Sequence, residues 1–134
     1  MTQFASTRIF TDNVDDLIAF YEAVTGIASR RLHPLFGVLE TPLGTLAIAS
    51  TQTVSLLGDG AAEAGANRSV CLDFLVDDVD ALVPRLREIV ADFVSGPTEL
   101  PWGNRSLLFR DPDGNLINFF TPTTAAARER FGLQ

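Results

Sequence analysis

Hydrophobic and polar positions along this chain fall into one pattern that is written twice. Residues 4–11 (FASTRIFT) read as a strand. Asn13 then stands where a helix would be capped, with Asp15 and Asp16 in its positive first turn. Val14, Leu17, Ile18, Tyr21 and Val24 recur at helical spacing, and Gly26 marks a stop. Residues 27–50 read as short strands, broken at His33-Pro34 and at Pro42-Leu43-Gly44. The order then repeats. Residues 69–76 predict a strand, and a helix follows from Asp78 with Val79, Leu82, Val83, Leu86, Ile89 and Val90 on one face. Pro84 lies inside that helix and predicts a kink or a late start. Further strands run to Thr121, and the tail TTAAARERFG predicts a short helix.

The two halves also match in letters. Asp12, Val14, Asp15 and Leu17 meet Asp77, Val79, Asp80 and Leu82 at an offset of 65. Pro42, Gly44, Leu46 and Thr51 meet Pro112, Gly114, Leu116 and Thr121 at an offset of 70. Matching segments in the same order point to a duplicated unit. The expected fold is therefore α+β, a single domain over residues 1–134 built from two tandem βαβββ modules with curved mixed sheets. Module one covers 1–57, module two 69–122 and the helical tail 123–134. The stretch GDGAAEAGANR (58–68) is the linker, since its glycines fit no phosphate-loop spacing.

Composition narrows the partners. With 46% apolar and 20% charged residues, the chain resembles ordinary globular domains. No apolar run has signal-peptide or membrane-spanning length, so the expected location is the cytoplasm, with no membrane partner. A net charge of −7 argues against nucleic acid and is compatible with a cationic ligand. The single cysteine, Cys71, excludes an internal disulfide and any CxxC motif. All ten basic residues are arginines, which excludes lysine-based covalent chemistry.

Near the end, DPDGNLINFF (111–120) pairs a turn with an apolar strand that is interrupted by one polar residue, Asn118. A buried polar group there requires a partner or a purpose. Together with DDVDAL opening the second helix and WGNRSLLFRDPDGN near the end, the twice-written unit resembles the vicinal oxygen chelate superfamily. That superfamily holds the glyoxalases, bleomycin-resistance proteins and extradiol dioxygenases. The resemblance implies half-cups that close cavities and assembly as homodimers.

In metal-using relatives, a His lies on each first strand, seven residues before the residue that opens the helix. A Glu or His lies four residues after each turn glycine. Here those rules fall on Ser6, Cys71, Asn118 and, through the repeat, Ile48. One hydroxyl, one thiol, one amide and one hydrocarbon do not make a transition-metal site. The only histidine, His33, aligns with no ligand position. No metal and no cofactor are expected.

Three functions follow from the resemblance, in order of preference. The first is a metal-free protein that binds a small organic molecule, an antibiotic or a metabolite, in a dimeric cup. The second is a metal-independent enzyme of lyase or isomerase type using Asp73, Arg8 or Arg105. The third is a metal-dependent lyase or dioxygenase with ligands elsewhere. Period-two alternation puts Ser6, Arg8 and Phe10 on one strand face, and Cys71, Asp73 and Leu75 on the matching face of the second unit. Leu116, Asn118 and Phe120 share a face at the end, while Trp102 and Arg105 in PWGNR are expected at the rim. Arg8 and Asp73 are open to two readings, ligand contacts or a structural ion pair.

Overall fold

The computed structural model describes residues 1–134, which divide into two compact units, Met1–Asn67 and Arg68–Gln134. Each unit holds one four-stranded mixed sheet. In the first, β1 (Thr7–Thr11), α1 (Val14–Thr25), β2 (Arg30–His33), β3 (Phe36–Glu40) and β4 (Thr45–Ser50) follow one another. A 3-10 turn (Thr51–Thr53) and the short α2 (Val54–Leu57) complete it. The second contains β5 (Cys71–Leu75), α3 (Val79–Ile89), β6 (Asp92–Glu99), β7 (Asn104–Arg110), β8 (Leu116–Pro122) and α4 (Ala125–Arg130). Strand order is β1-β4-β3-β2 in one sheet and β5-β8-β7-β6 in the other. The first and last strands of each unit pair in parallel, β1 with β4 and β5 with β8. No helix is long and apolar enough to cross a membrane.

Local chemistry sets the element boundaries. The Asn13 side chain accepts from Asp16 N–H, and that of Asp78 accepts from Asp80 and Ala81, so each long helix starts at its expected cap. Gly26 ends α1 in the left-handed region, at φ 72°. Leu17, Ile18, Tyr21 and Val24 are buried, as their spacing predicts. Burying each such side chain contributes roughly 1.5–3 kcal/mol. Helix α3 runs through Pro84 from Val79, so the late start does not occur. Pro84 lacks only the N–H that would have bonded the Asp80 carbonyl.

Strand β1 is shorter than its sequence pattern. Pairing begins at Thr7 with Leu46, and residues 1–6, Ser6 among them, are exposed ahead of it. In the second unit Leu72, Leu107, Phe109, Ile117 and Phe119 form the core beneath α3. The rings of Phe109 and Phe119 meet edge to face at 5.1 Å, and Phe74 joins Phe119 at 5.6 Å.

One difference between the units governs the rest. In the first, Thr41 and Gly44 bond each other in both directions and close a loop around Pro42 and Leu43. In the second, Asp111 N–H donates to Asn115 O, and the loop holds one more residue, with Gly114 at φ 86°. The added left-handed residue follows a turn closed by Gly114 N–H to Asp111 O, at 2.9 Å. Asp111 fixes this turn, accepting from Asp113 N–H, Asn115 N–H and the Asn115 amide at 2.8–2.9 Å. Because side chains alternate, one extra residue reverses the face that each following residue takes.

Candidate functional site

The strand pairing of the second unit lays its side chains out in rows on the face away from α3. One row reads Asp73, Asn118, Leu108 and Ser95 across β5, β8, β7 and β6. A neighbouring row reads Cys71, Leu116, Arg110 and Asp92. On the other side lie Leu75, Phe120, Ser106 and Thr98. Of the residues expected in a site, Cys71, Asp73, Asn118 and Phe120 thus share one sheet face.

The polar centre of this face is Asp73. Its Oδ1 accepts from Asn118 Nδ2 at 3.0 Å and from the Cys71 thiol at 3.7 Å. Asn118 Oδ1 and Ser106 Oγ are buried and have no partner. Loss of water around the Cys71 sulfur, followed by the charge and hydrogen bond of Asp73, pushes its thiol up to about 11. The residue as a whole is nevertheless exposed. At neutral pH Cys71 is a protonated donor and not a nucleophile.

Phe120 lies on the expected face, but it is only 6% exposed and packs against Phe131 of the tail, centroids 5.3 Å apart. The tail itself is held by the turn between β6 and β7. Gly103 O accepts from Thr123 N–H at 2.7 Å, from Thr124 N–H and from the Thr123 hydroxyl. Trp102, beside Gly103, is 67% exposed on this turn. From the Asp73–Asn118 row it lies beyond Asn104, about 13 Å along the strand.

Arg105 takes the other face. It shares strand parity with Leu107 and Phe109 and grips Asp80 on α3 through Nε at 2.6 Å and a second nitrogen at 3.0 Å. That hydrogen bond holds the Asp80 carboxyl below the ordinary carboxylate range. Arg105 is therefore not brought together with Asp73 and Asn118. The alternation of Leu107 and Phe109 carried that signal in the sequence.

In the first unit Arg8 and Phe10 share a face, with the Arg8 guanidinium 5.9 Å from the Phe10 ring centre. Ser6 lies outside the strand. Ile48 is fully buried on the helix-bearing face, opposite Gly37 and Ile9. The residue matching Asn118 is Ala47, since Ala47 pairs with Arg8 as Asn118 pairs with Asp73. The shorter loop around Pro42 and Leu43 is the cause.

The sequence model of the glyoxalase/bleomycin resistance protein/dioxygenase superfamily matches residues 3–119. The chain belongs to this superfamily. A glyoxalase/bleomycin resistance protein/dioxygenase family enzyme from Burkholderia phytofirmans superposes with a TM-score of 0.77 at 23% identity, over 88% of this chain and 97% of that one. A protein of unknown function from Agrobacterium tumefaciens gives 0.77 at 24% identity, over 90% and 94%. A further superfamily structure from Nocardioides gives 0.74 at 22%, over 93% and 86%. At these identities the likeness is one of fold. No curated protein is similar enough to the chain to count as a relative.

Superfamily membership raises the question of a metal. The positions that correspond to its ligands hold Ser6, Cys71, Asn118 and Ala47. These supply a hydroxyl outside its strand, a protonated thiol, an amide whose nitrogen faces Asp73, and a methyl group. No three His, Cys, Asp or Glu side chains in the chain converge as a metal centre requires. The donor set does not fit a transition metal.

Proposed function

We propose that this superfamily member binds a small organic molecule without a metal, as a homodimer whose cups enclose the ligand. The observation that carries the reading is the hydrogen bond from Asn118, at the family's ligand position, to Asp73 beside it. The metal-ligand chemistry is gone, but a polar centre persists among Leu75, Leu108 and Leu116. A few directional polar groups in an apolar setting are what small-molecule recognition uses. In the first unit Arg8 over Phe10 offers a cation and a ring of its own, and in the second the exposed Trp102 is assigned to the rim. Exposed apolar side chains, among them Phe93, Val94 and Leu56, support a second chain covering part of the surface.

Asp73 is also the one carboxylate of this row and the only group there suited to moving a proton. That supports a metal-independent lyase or isomerase as the second reading. Turnover of a bound compound separates the two.

Elemental analysis of untagged protein is the first test. The expected result is no stoichiometric zinc, nickel, iron or manganese, with small-molecule binding intact after treatment with a chelator. One metal per chain whose removal abolishes binding would reject the proposal.

A further inference from the structure

We infer that the ligand presents an NH-bearing organic cation, a primary ammonium or an amidinium, to Asp73 and Asn118. This rests on the binding reading above and names the chemistry of its site. An ionised carboxylate has only acceptors, so the Asn118 amide must turn its nitrogen toward Asp73, as the 3.0 Å contact requires. Rotating the amide would set two oxygens against each other. The orientation is therefore fixed, and it points Asn118 Oδ1 the other way, where it is buried with no donor. Both contacts to Asp73 reach Oδ1, leaving Oδ2 without a hydrogen bond from the chain. Ser106 Oγ, 0% exposed on the next row, is a second buried polar atom without a partner.

Asp73 also has no counter-charge in its own unit. It takes part in none of the ion pairs, and its two hydrogen-bond donors are neutral. The nearest cation on the face, Arg110, lies two strands away, roughly 10 Å, with a nitrogen bonded to Gly114 O. Leu75, Leu108 and Leu116, all half-buried, flank the pair, while Asp73 itself is exposed, so its carboxylate is open to a group arriving from solvent. One uncompensated negative charge beside acceptors that lack donors is complementary to a positive group carrying several N–H bonds. An anion would be repelled, and a ligand offering only acceptors would leave Asn118 Oδ1 unpaired.

Benzylammonium and benzamidinium, with benzyl alcohol and benzoate as isosteric controls, test this by titration. Chemical shifts of the Asn118 side-chain amide and the Asp73 backbone report where each probe binds. The two cations are expected to shift both signals and to bind at least about tenfold more tightly than benzyl alcohol, with no effect from benzoate. Asp73→Asn should remove the preference for cation over alcohol. Asn118→Leu should weaken the cations severalfold while keeping the preference. Equal binding of benzyl alcohol or benzoate at these residues, or a cation preference that survives in Asp73→Asn, overturns the cation assignment and leaves the binding function standing. No probe shifting any residue of this face overturns both.

Discussion

Cys71 is the chain's one thiol, and its neighbours decide how it reacts. With its pKa pushed to about 11, roughly one molecule in ten thousand carries a thiolate at pH 7. Alkylation by iodoacetamide should therefore be slow at neutral pH and rise about tenfold per pH unit until pH approaches 11. In Asp73→Asn the charge and the carboxylate hydrogen bond are gone, which lowers the pKa and speeds alkylation severalfold at pH 8. Burial, the larger cause, remains, so the thiol should still titrate above an ordinary cysteine. A rate that levels off near pH 8 in the parent protein would show that neither burial nor Asp73 holds the thiol protonated. Part of this was legible beforehand. The offset of 65 and the period of two place Cys71 and Asp73 on one face beside Asn118. The same rule, applied to Leu107 and Phe109, would have moved Arg105 to the helix side. No sequence signal announced Phe131 over Phe120, because that contact depends on where the tail returns.

At the scale of elements, two glycines with similar backbone angles have different duties. Gly114 at φ 86° has nothing within 4 Å of the position a Cβ would take. Gly114→Ala should cost only the conformational strain of an L residue in the left-handed region, about 1–2 kcal/mol. Gly103 at φ 92° would direct its Cβ onto Thr124 Oγ1 and within 2.9 Å of Thr124 Cγ2. Gly103→Ala should lose a further ~1–3 kcal/mol, because Thr124 caps α4 and cannot withdraw without freeing the tail. Urea unfolding monitored through Trp102 measures both. Equal losses in the two variants would mean that the tail is not held by this turn. Proline and glycine marked both long turns in the sequence, but not their lengths. Gly44 keeps a negative φ and Gly114 does not, a choice made by the hydrogen bonds of Asp111, not by the glycine.

For the whole molecule, the duplicated pattern was enough to specify the fold, because strand alternation, helix caps and two matched segments agree. Function was less legible. The family pattern located a site by counting from turns, and the count is reliable only where the loops are equal. A homodimer is expected, with light scattering giving about twice the 14.5 kDa chain mass. A monomer at micromolar concentration that still binds a ligand in the cup would remove the dimer from the proposal.

The single residue by which the two hairpin loops differ also bears on how such chains diverge. A length change at a surface loop is cheap, since no core contact is lost at the loop itself. Yet it puts every later residue of the strand out of phase, so letters once selected for packing turn to the open sheet face, and the reverse. Ala47 and Asn118 are in phase with each other, whereas Ile48 and Asn118 are only aligned. An insertion or deletion of one residue at this hairpin can thus exchange the chemistry of a binding surface in one step, without altering a single letter of the strand that forms it.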